Sequence, residues 1–469
     1  MKTKNGVRVA VLIAVGTAVA AIAAPARGAQ ASDTLTLREA MVAAIQGSDL
    51  LRAEGGRRAA AEAAVDAARS FLLPSVAVEE RFLSTDNPAY DFSMKINQGA
   101  FTSADLQGAP GSFNNPDPIS DFQTSLTVTQ PLYARRATLG LEMARGEAAA
   151  AGLDHTRRSE EVAHAAMQAW FGSKAAEAYE EAAEKAEEDA VEHLRLAKVA
   201  EDAGVGLASD RLRAAVALSE ARRMRLNVQN NLEIARRGLG LAIGREAAVV
   251  PAGDDLGGTL PDLESLLAVV GARSDLQAMN KRVESARLNI DLAKAERLPE
   301  VGLFGSLQAN DPDYPLGTSG TSYSAGIGVT WKLSGWHSAA AARQAMGDLQ
   351  RAEAGRSGME REARYRVREA WLRWGEAKES LAIAEETMGV ADEGVRLVRL
   401  RYENGLATMV ALLDAQAALN RARSERARSA ANLAAALGEV KFNSGLVLDG
   451  IAVTAAAETS GSPAAGDGK

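Results

Sequence analysis

Ser322-Tyr323-Ser324-Ala325-Gly326-Ile327-Gly328-Val329-Thr330-Trp331-Lys332-Leu333 alternates residue by residue between small or polar side chains and apolar ones. A period of two belongs to a β-strand with one polar and one apolar face. Its length, about ten residues, is what a tilted strand needs to cross a bilayer. A similar run lies upstream, where Phe122, Thr124, Leu126, Val128, Gln130 and Leu132 alternate with Gln123, Ser125, Thr127 and Thr129. An offset of 201 residues lays Val128-Thr129 on Val329-Thr330 and Leu132 on Leu333. Without a gap, the same offset brings Gly146 onto Gly347, Trp170 onto Trp371 and Ala183-Glu184 onto Ala384-Glu385. It also matches Arg195-Leu196 with Arg396-Leu397, Gly204 with Gly405, and Asn231-Leu232 with Asn432-Leu433. One unbroken register over residues 128–237 and 329–438 marks an internal duplication. Chance agreement between Ala-rich helices is the competing explanation, and the shared Pro, Gly and Trp landmarks weigh against it.

Weaker alternating runs at residues 76–83 and 301–309 follow Leu73-Pro74 and Leu298-Pro299, and Ser48-Asp49-Leu50 resembles Ser274-Asp275-Leu276. Four strands in two hairpins result. Their tips, residues 83–121 and 310–321, are rich in Gly, Pro, Asn, Asp and Ser and are expected to be loops. The prolines are offset by 225 rather than 201, so the first tip carries 24 extra residues, placed where insertions cost little. No proline falls in residues 132–250 or 316–462, which leaves both tracts free to form unbroken helix. Residues 134–203 would then make one helix of about 105 Å, ended by Gly204. Ser209 is expected to cap a returning helix of about 52 Å, and residues 49–72 to add about 36 Å beside the long one. Gly405 and Thr408 take the stop and cap roles in the second copy. Val249-Val250 and Leu446-Val447-Leu448 are short β-prone runs between and after the repeats.

Aromatic residues make up only 4% of the 469, and the chain has no Cys. Ala-rich, Glu/Arg-rich periodic sequence points to long helices packed side by side rather than a bulky core. Absence of Cys excludes disulfides, thiolate metal sites and a Cys-linked acyl anchor. Lys2, Lys4 and Arg8, an apolar run over residues 9–24 and the small residues Ala29-Gln30-Ala31 read as a secretory leader. Removing it takes the formal charge from −8 to −12, which argues against a nucleic-acid partner. The expected organisation is a leader over 1–31, a first repeat over 32–245 and a second over 246–445. Within the repeats, hairpins 75–133 and 300–333 lead into long helical hairpins 134–243 and 334–440. Residues 446–469 form a short segment and a disordered tail. The fold class is α+β. Four strands cannot close a barrel, and an open sheet edge in lipid costs several kcal/mol per unpaired group, so the chain must oligomerise. Two copies would supply eight strands and three would supply twelve, of which the larger leaves a lumen. A soluble sheet with one wet face is the alternative.

These features resemble the TolC family of outer-membrane efflux proteins over roughly residues 34–445. The resemblance is carried by the duplicated layout, the Leu-Pro before each first strand and Thr129-Gln130-Pro131-Leu132-Tyr133. Further matches are Gly204-Val205-Gly206-Leu207, Tyr402-Glu403-Asn404-Gly405-Leu406-Ala407-Thr408 and Leu412-Leu413-Asp414-Ala415-Gln416. It implies a homotrimer with a twelve-stranded barrel in outer-membrane lipid and a twelve-helix periplasmic tunnel. That tunnel would dock on a periplasmic adaptor linked to an inner-membrane pump, in an efflux or type I secretion system whose cargo the pump selects. By resemblance, Gly204, Val205, Gly206, Leu207, Gly405, Leu406 and Ala407 would meet the adaptor. Asp210 and Tyr402 would hold the periplasmic end shut, and Asp414 would form an acidic ring at the entrance. Ala407 and Ala411 depart from members that carry a basic latch and a second acidic ring there, which implies a gate that is looser or wired differently. A periplasmic coiled-coil scaffold without a pore is the runner-up.

Enzymatic chemistry finds little support. Glu161-Val162-Ala163-His164 has the Glu-x-x-His spacing of di-iron bundles, but such sites need a second motif and Tyr365 stands at the position matching His164. His155, His193 and His337 read as surface or interface positions. The glycines of residues 238–244 have the wrong spacing for a dinucleotide loop and follow a helix. No cofactor is expected.

Overall fold

The computed structural model describes residues 34–107, 114–253, 260–333 and 335–449. The leader and the tail from residue 450 lie outside them. In the first half, β1 (Thr34–Leu35) leads into α1 (Leu37–Gly47) and α2 (Asp49–Ser70), then β2 (Ser75–Thr85). After α3 (Pro88–Asn97) and α4 (Ser103–Leu106), β3 (Ile119–Tyr133) leads into α5 (Arg135–Asp202) and α6 (Ala208–Ala242). The second half repeats the plan: β4 (Val250–Pro251), α7 (Leu263–Val269), α8 (Ser274–Ala295), β5 (Glu300–Asp311), β6 (Gly320–Thr330), α9 (Gly335–Glu403) and α10 (Met409–Ser444).

The helices form because nothing breaks them and small residues let them approach. Helices α5 and α9, of 68 and 69 residues, each extend about 100 Å at 1.5 Å per residue. Helix α5 packs on α2 and then α6, and α9 on α8 and then α10, while α5 also touches α8 and α10. The helical layer therefore runs α2-α5-α8-α9 beside the strands and α6-α5-α10-α9 farther away. Ala183, Ala190 and Ala197 on α5, and Ala363, Ala370, Ala377 and Ala384 on α9, are buried at intervals of seven, the spacing of a coiled-coil seam. Register along α5 and α6 is set by Arg225 with Glu184 and Glu187 (2.7 and 3.1 Å) and Arg236 with Glu177 (2.9 Å). These pairs are half-buried, and ion pairs near a surface contribute on the order of 1 kcal/mol each, so they select alignment while packing supplies stability.

Larger side chains concentrate midway. Trp170 is fully buried among Ala40, Met41, Ala44, Leu239, Val249 and Ala434, and its indole Nε1 donates to Leu35 O at 3.0 Å. The matching cluster of the second half contains Leu266, Val270, Leu276, Val367 and Val440, with Trp371 only partly buried at its edge. Thr36 and Glu39 cap α1 reciprocally, and Ser48 Oγ accepts from Leu51 N to start α2.

The four long strands form one antiparallel sheet in the order β2-β3-β5-β6. Both hairpins are thus joined through β3 and β5, leaving β2 and β6 as edges. Strand β1 pairs in parallel with β4.

Three expectations are corrected. The first tip is not a plain loop, since part of it forms α3, begun by Asn87 Oδ1 accepting from Ala89 N. Leu446-Val447-Leu448 is a turn after α10 rather than a strand, because Val447 is drawn into the Trp170 cluster. Ser209 does not cap α6, which begins at Ala208 with no side-chain cap bond. Thr408 does cap α10, its hydroxyl accepting from Ala411 N at 3.2 Å. Of the two positions offered for His193, surface or interface, it takes the second, buried where α5 meets α10 and bonded to Gln416.

Candidate functional site

Strand register decides which side chains share a face. Pairing Val76 with Val128, Val128 with Gly305 and Gly305 with Ala325 places one row on one side of all four strands. That side carries Val76, Val78 and Phe82 on β2, and Leu126 and Val128 on β3. It continues with Leu303 and Leu307 on β5 and Tyr323, Ile327 and Val329 on β6, all exposed in the single chain. Phe82 packs on Phe122 across the strands at 4.7 Å between ring centroids. Glu80 interrupts this face, with Thr124 Oγ1 donating to its carboxylate. Leaving about ten large apolar side chains in water forgoes up to roughly 1.5–3 kcal/mol each. The sum exceeds the net stability of a typical domain, about 5–15 kcal/mol, so this face requires an apolar environment.

The opposite face carries Glu79, Arg81, Gln123, Ser125, Thr127, Ser306, Gln308, Asn310, Ser322 and Ser324. Arg81 donates to Gln123 Oε1 across the pair. Phe304 also sits here, its ring over Gly326 where a Cβ would intrude. Below the strands, Phe71, Tyr133, Trp331 and Trp336 are exposed around the junction with the helices, and Trp331 Nε1 donates to Arg297 O at 2.9 Å. Amphipathic rings in such a belt suit the boundary between hydrocarbon and water. Among the described residues no helix is long and apolar enough to cross a membrane.

At the far end of the helices both turns use a left-handed glycine. Gly204 has φ +75° and Gly405 φ +70°, a conformation glycine adopts at no steric cost. Val205 N and Gly206 N donate to Ala200 O, and Leu406 N donates to Arg401 O. Val205 is 85% exposed, Leu207 67% and Leu406 70%, so each tip presents unpartnered apolar surface. Ala407 is half-buried beside them.

Behind the tips the two helical hairpins share a small core. Ala197, Ala214, Met409 and Leu412 are buried together, with Leu194, Val398, Tyr402 and Leu413 packed on them. Burial first, and then the nearby Asp210 carboxylate, hold the Tyr402 phenol above its usual value, which places Tyr402 and Asp210 in one neighbourhood. Asp210 lies 3.6 Å from Arg213 Nη1. Asp414 is exposed on α10 and is not drawn into this core. A polar cluster that sequence reasoning missed sits just above: His193 Nε2 donates to Gln416 Oε1 at 3.1 Å, and Asp189 accepts from Gln416 Nε2 and Arg423 Nη1, both at 2.7 Å. Its only sequence signal is polar residues on otherwise Ala-rich faces.

Among the described residues no group of three or more His, Asp and Glu could hold a metal ion. Glu161 pairs with Arg158, while His164 stacks on Phe442 at 4.4 Å, so the Glu-x-x-His spacing does not converge.

Residues 40–245 and 269–445 match the family model described as outer membrane efflux protein. No curated protein matches the sequence. Among solved structures, the outer-membrane channel OprN is similar at 20% identity and TM-score 0.72, covering 87% of this chain and 89% of that one. VceC of Vibrio cholerae is similar at 16% identity and TM-score 0.73, covering 87% and 96%. The open-state channel MtrE of Neisseria gonorrhoeae is similar at 18% and 0.72, covering 87% and 89%.

Proposed function

Because the chain belongs to the outer membrane efflux protein family, we propose that three copies join side by side into a single duct. Members of this family are channel proteins rather than enzymes, and this chain is an efflux channel of the outer membrane that extends into the periplasm. The observation that carries the trimer is a two-faced sheet with an unpaired edge on each side. Edge β2 lies on the same flank as α2 and α6, whereas edge β6 lies on the flank of α9. The α6 flank exposes Leu212, Val216, Leu226 and Ile234, and α9 exposes Ile383, Val390 and Leu397 at intervals of seven. Unlike flanks of this kind pair head to tail, and the contact repeats until the ring closes. Three protomers supply twelve strands, enough to leave a lumen. The apolar face then meets lipid, the polar face lines water, and the helices carry the lumen into the periplasm.

The tips at Gly204-Val205-Gly206-Leu207 and Gly405-Leu406-Ala407 are the docking surface for a periplasmic adaptor, whose own helical turns would cover Val205, Leu207 and Leu406. Through that adaptor an inner-membrane pump loads the duct. Asp210 and Tyr402 belong to the closed gate, and three copies of Asp414 ring its entrance. Purified protein is expected to need detergent, to have three times the protomer mass, and to conduct ions in a planar bilayer. A monomer freely dissolved without detergent would end this proposal.

A further inference from the structure

Helix α3, in the first tip, does not stand clear of the sheet. It lies across the polar face at the end farthest from the helices, and one side of α3 is anchored there. Asp91, Met94 and Gln98 are buried, spaced along one helical face. Gln98 Nε2 donates to Ser120 O at 2.8 Å and to Asp121 Oδ1 at 2.9 Å, and Asn310 Nδ2 donates to Asp121 Oδ2 at 2.6 Å. Asp121 and Asn310 are 3% exposed, and register assigns both to the polar face. Gly320, the β6 partner of Asn310, lets the end of α3 come down on the strand, since a Cβ there would stand 1.7 Å from Asn97 O. Across the helix from this anchor, Phe92 and Ile96 are exposed, one turn apart.

We propose that α3 is the size-selecting constriction of the duct's outer mouth, held in place by Gln98, Asp121 and Asn310 and seated by Gly320. The proposal rests on the polar face lining the lumen. Given that, each protomer hangs a helix about 10 Å across inside the mouth, its outward side formed by Ile96 and the exposed part of Phe92, whose ring packs edge-on against Phe101 at 5.1 Å. Three such helices narrow the exit that the twelve strands alone would leave wide. The seat is a buried carboxylate holding two amide donors, a bond type worth more than a neutral one and costly to leave half-made. Small solutes pass between the helices, whereas a bulky solute has to displace them.

The cysteine-free chain offers a direct test. Ser125→Cys places a thiol on the polar face below α3, and Ile327→Cys places one on the apolar face. In intact cells, a small water-soluble maleimide and a polymer-linked maleimide are each added from outside. The small reagent is expected to label Ser125→Cys at the same rate with or without Gln98→Ala or Gly320→Val, which also shows that those variants fold and assemble. The polymer reagent is expected to react slowly in the parent and at least about tenfold faster in either variant, since Gln98→Ala removes both bonds of the seat made by Gln98, one of them to a charged group, and Gly320→Val lifts the helix end off the strand. Equal polymer rates in parent and variants would overturn the constriction. Labelling of Ile327→Cys but not Ser125→Cys by the small reagent would instead overturn the lumen assignment beneath it.

Discussion

His164 sits where the two repeats are stitched together. Its ring stacks on Phe442, Arg157 lies over the same phenyl ring at 4.0 Å, and Glu439 Oε1 is 3.3 Å from Nε2. Burial, with Arg157 adding to it and Glu439 opposing, lowers the imidazole pKa below its ordinary value. The unfolded chain therefore takes up the proton first, and between about pH 6.5 and the depressed folded value stability falls as pH falls. Above about pH 6.5 this contribution is constant. Thermal dissociation of the solubilised protein, followed from about pH 8 to pH 5, is expected to fall less steeply for His164→Phe, which keeps the stack without the titration. An identical slope would remove His164 from the account. At the other end of the helices, Asp414 is exposed, and as one of three around an axis it would attract cations. Asp414→Ala is expected to lower cation preference and multivalent-cation block of single-channel current, and unchanged selectivity would discard the ring.

At the scale of elements, the long helices depend on small residues in register. Ala370 is 5% exposed within the Ala363-Ala370-Ala377-Ala384 series and touches the Leu266 and Val367 cluster. Ala370→Leu forces α9 away from its neighbours at a cost of roughly 1–3 kcal/mol. It should lower the dissociation temperature, while exposed Glu386→Ala should not; equal temperatures would mean that the seam is not close-packed. Periodic Ala-rich composition and freedom from proline made these helices legible, as period two made the strands legible. What could not be read was an element whose stability comes from its partner. Helix α3 is short and lies in a stretch with loop composition, and its seat on Asp121 comes from strands that are distant in sequence. Likewise Leu446-Val447-Leu448 has strand propensity, but burial of Val447 against the Trp170 cluster bends it into a turn, and Ser209 has a capping side chain that the tip geometry leaves unused.

At the scale of the molecule, duplication is visible in the sequence while its asymmetry is not. Trp170 and Trp371 occupy matching positions, yet the first is enclosed and bonded to Leu35 O whereas the second remains half-buried. The reason is that β1 and α1 close over the first repeat, while α7 covers less of the second. The offset of 201, the alternation of Tyr323 to Val329 and the proline-free tracts determined by themselves the α+β class, the four strands and the long helices, because those signals are local and periodic. Tertiary structure alone decided the strand order β2-β3-β5-β6, the flanks left without partners and the seating of α3. Each of these joins residues far apart in the chain, and such contacts are settled by packing and buried hydrogen bonds that no short window of sequence contains.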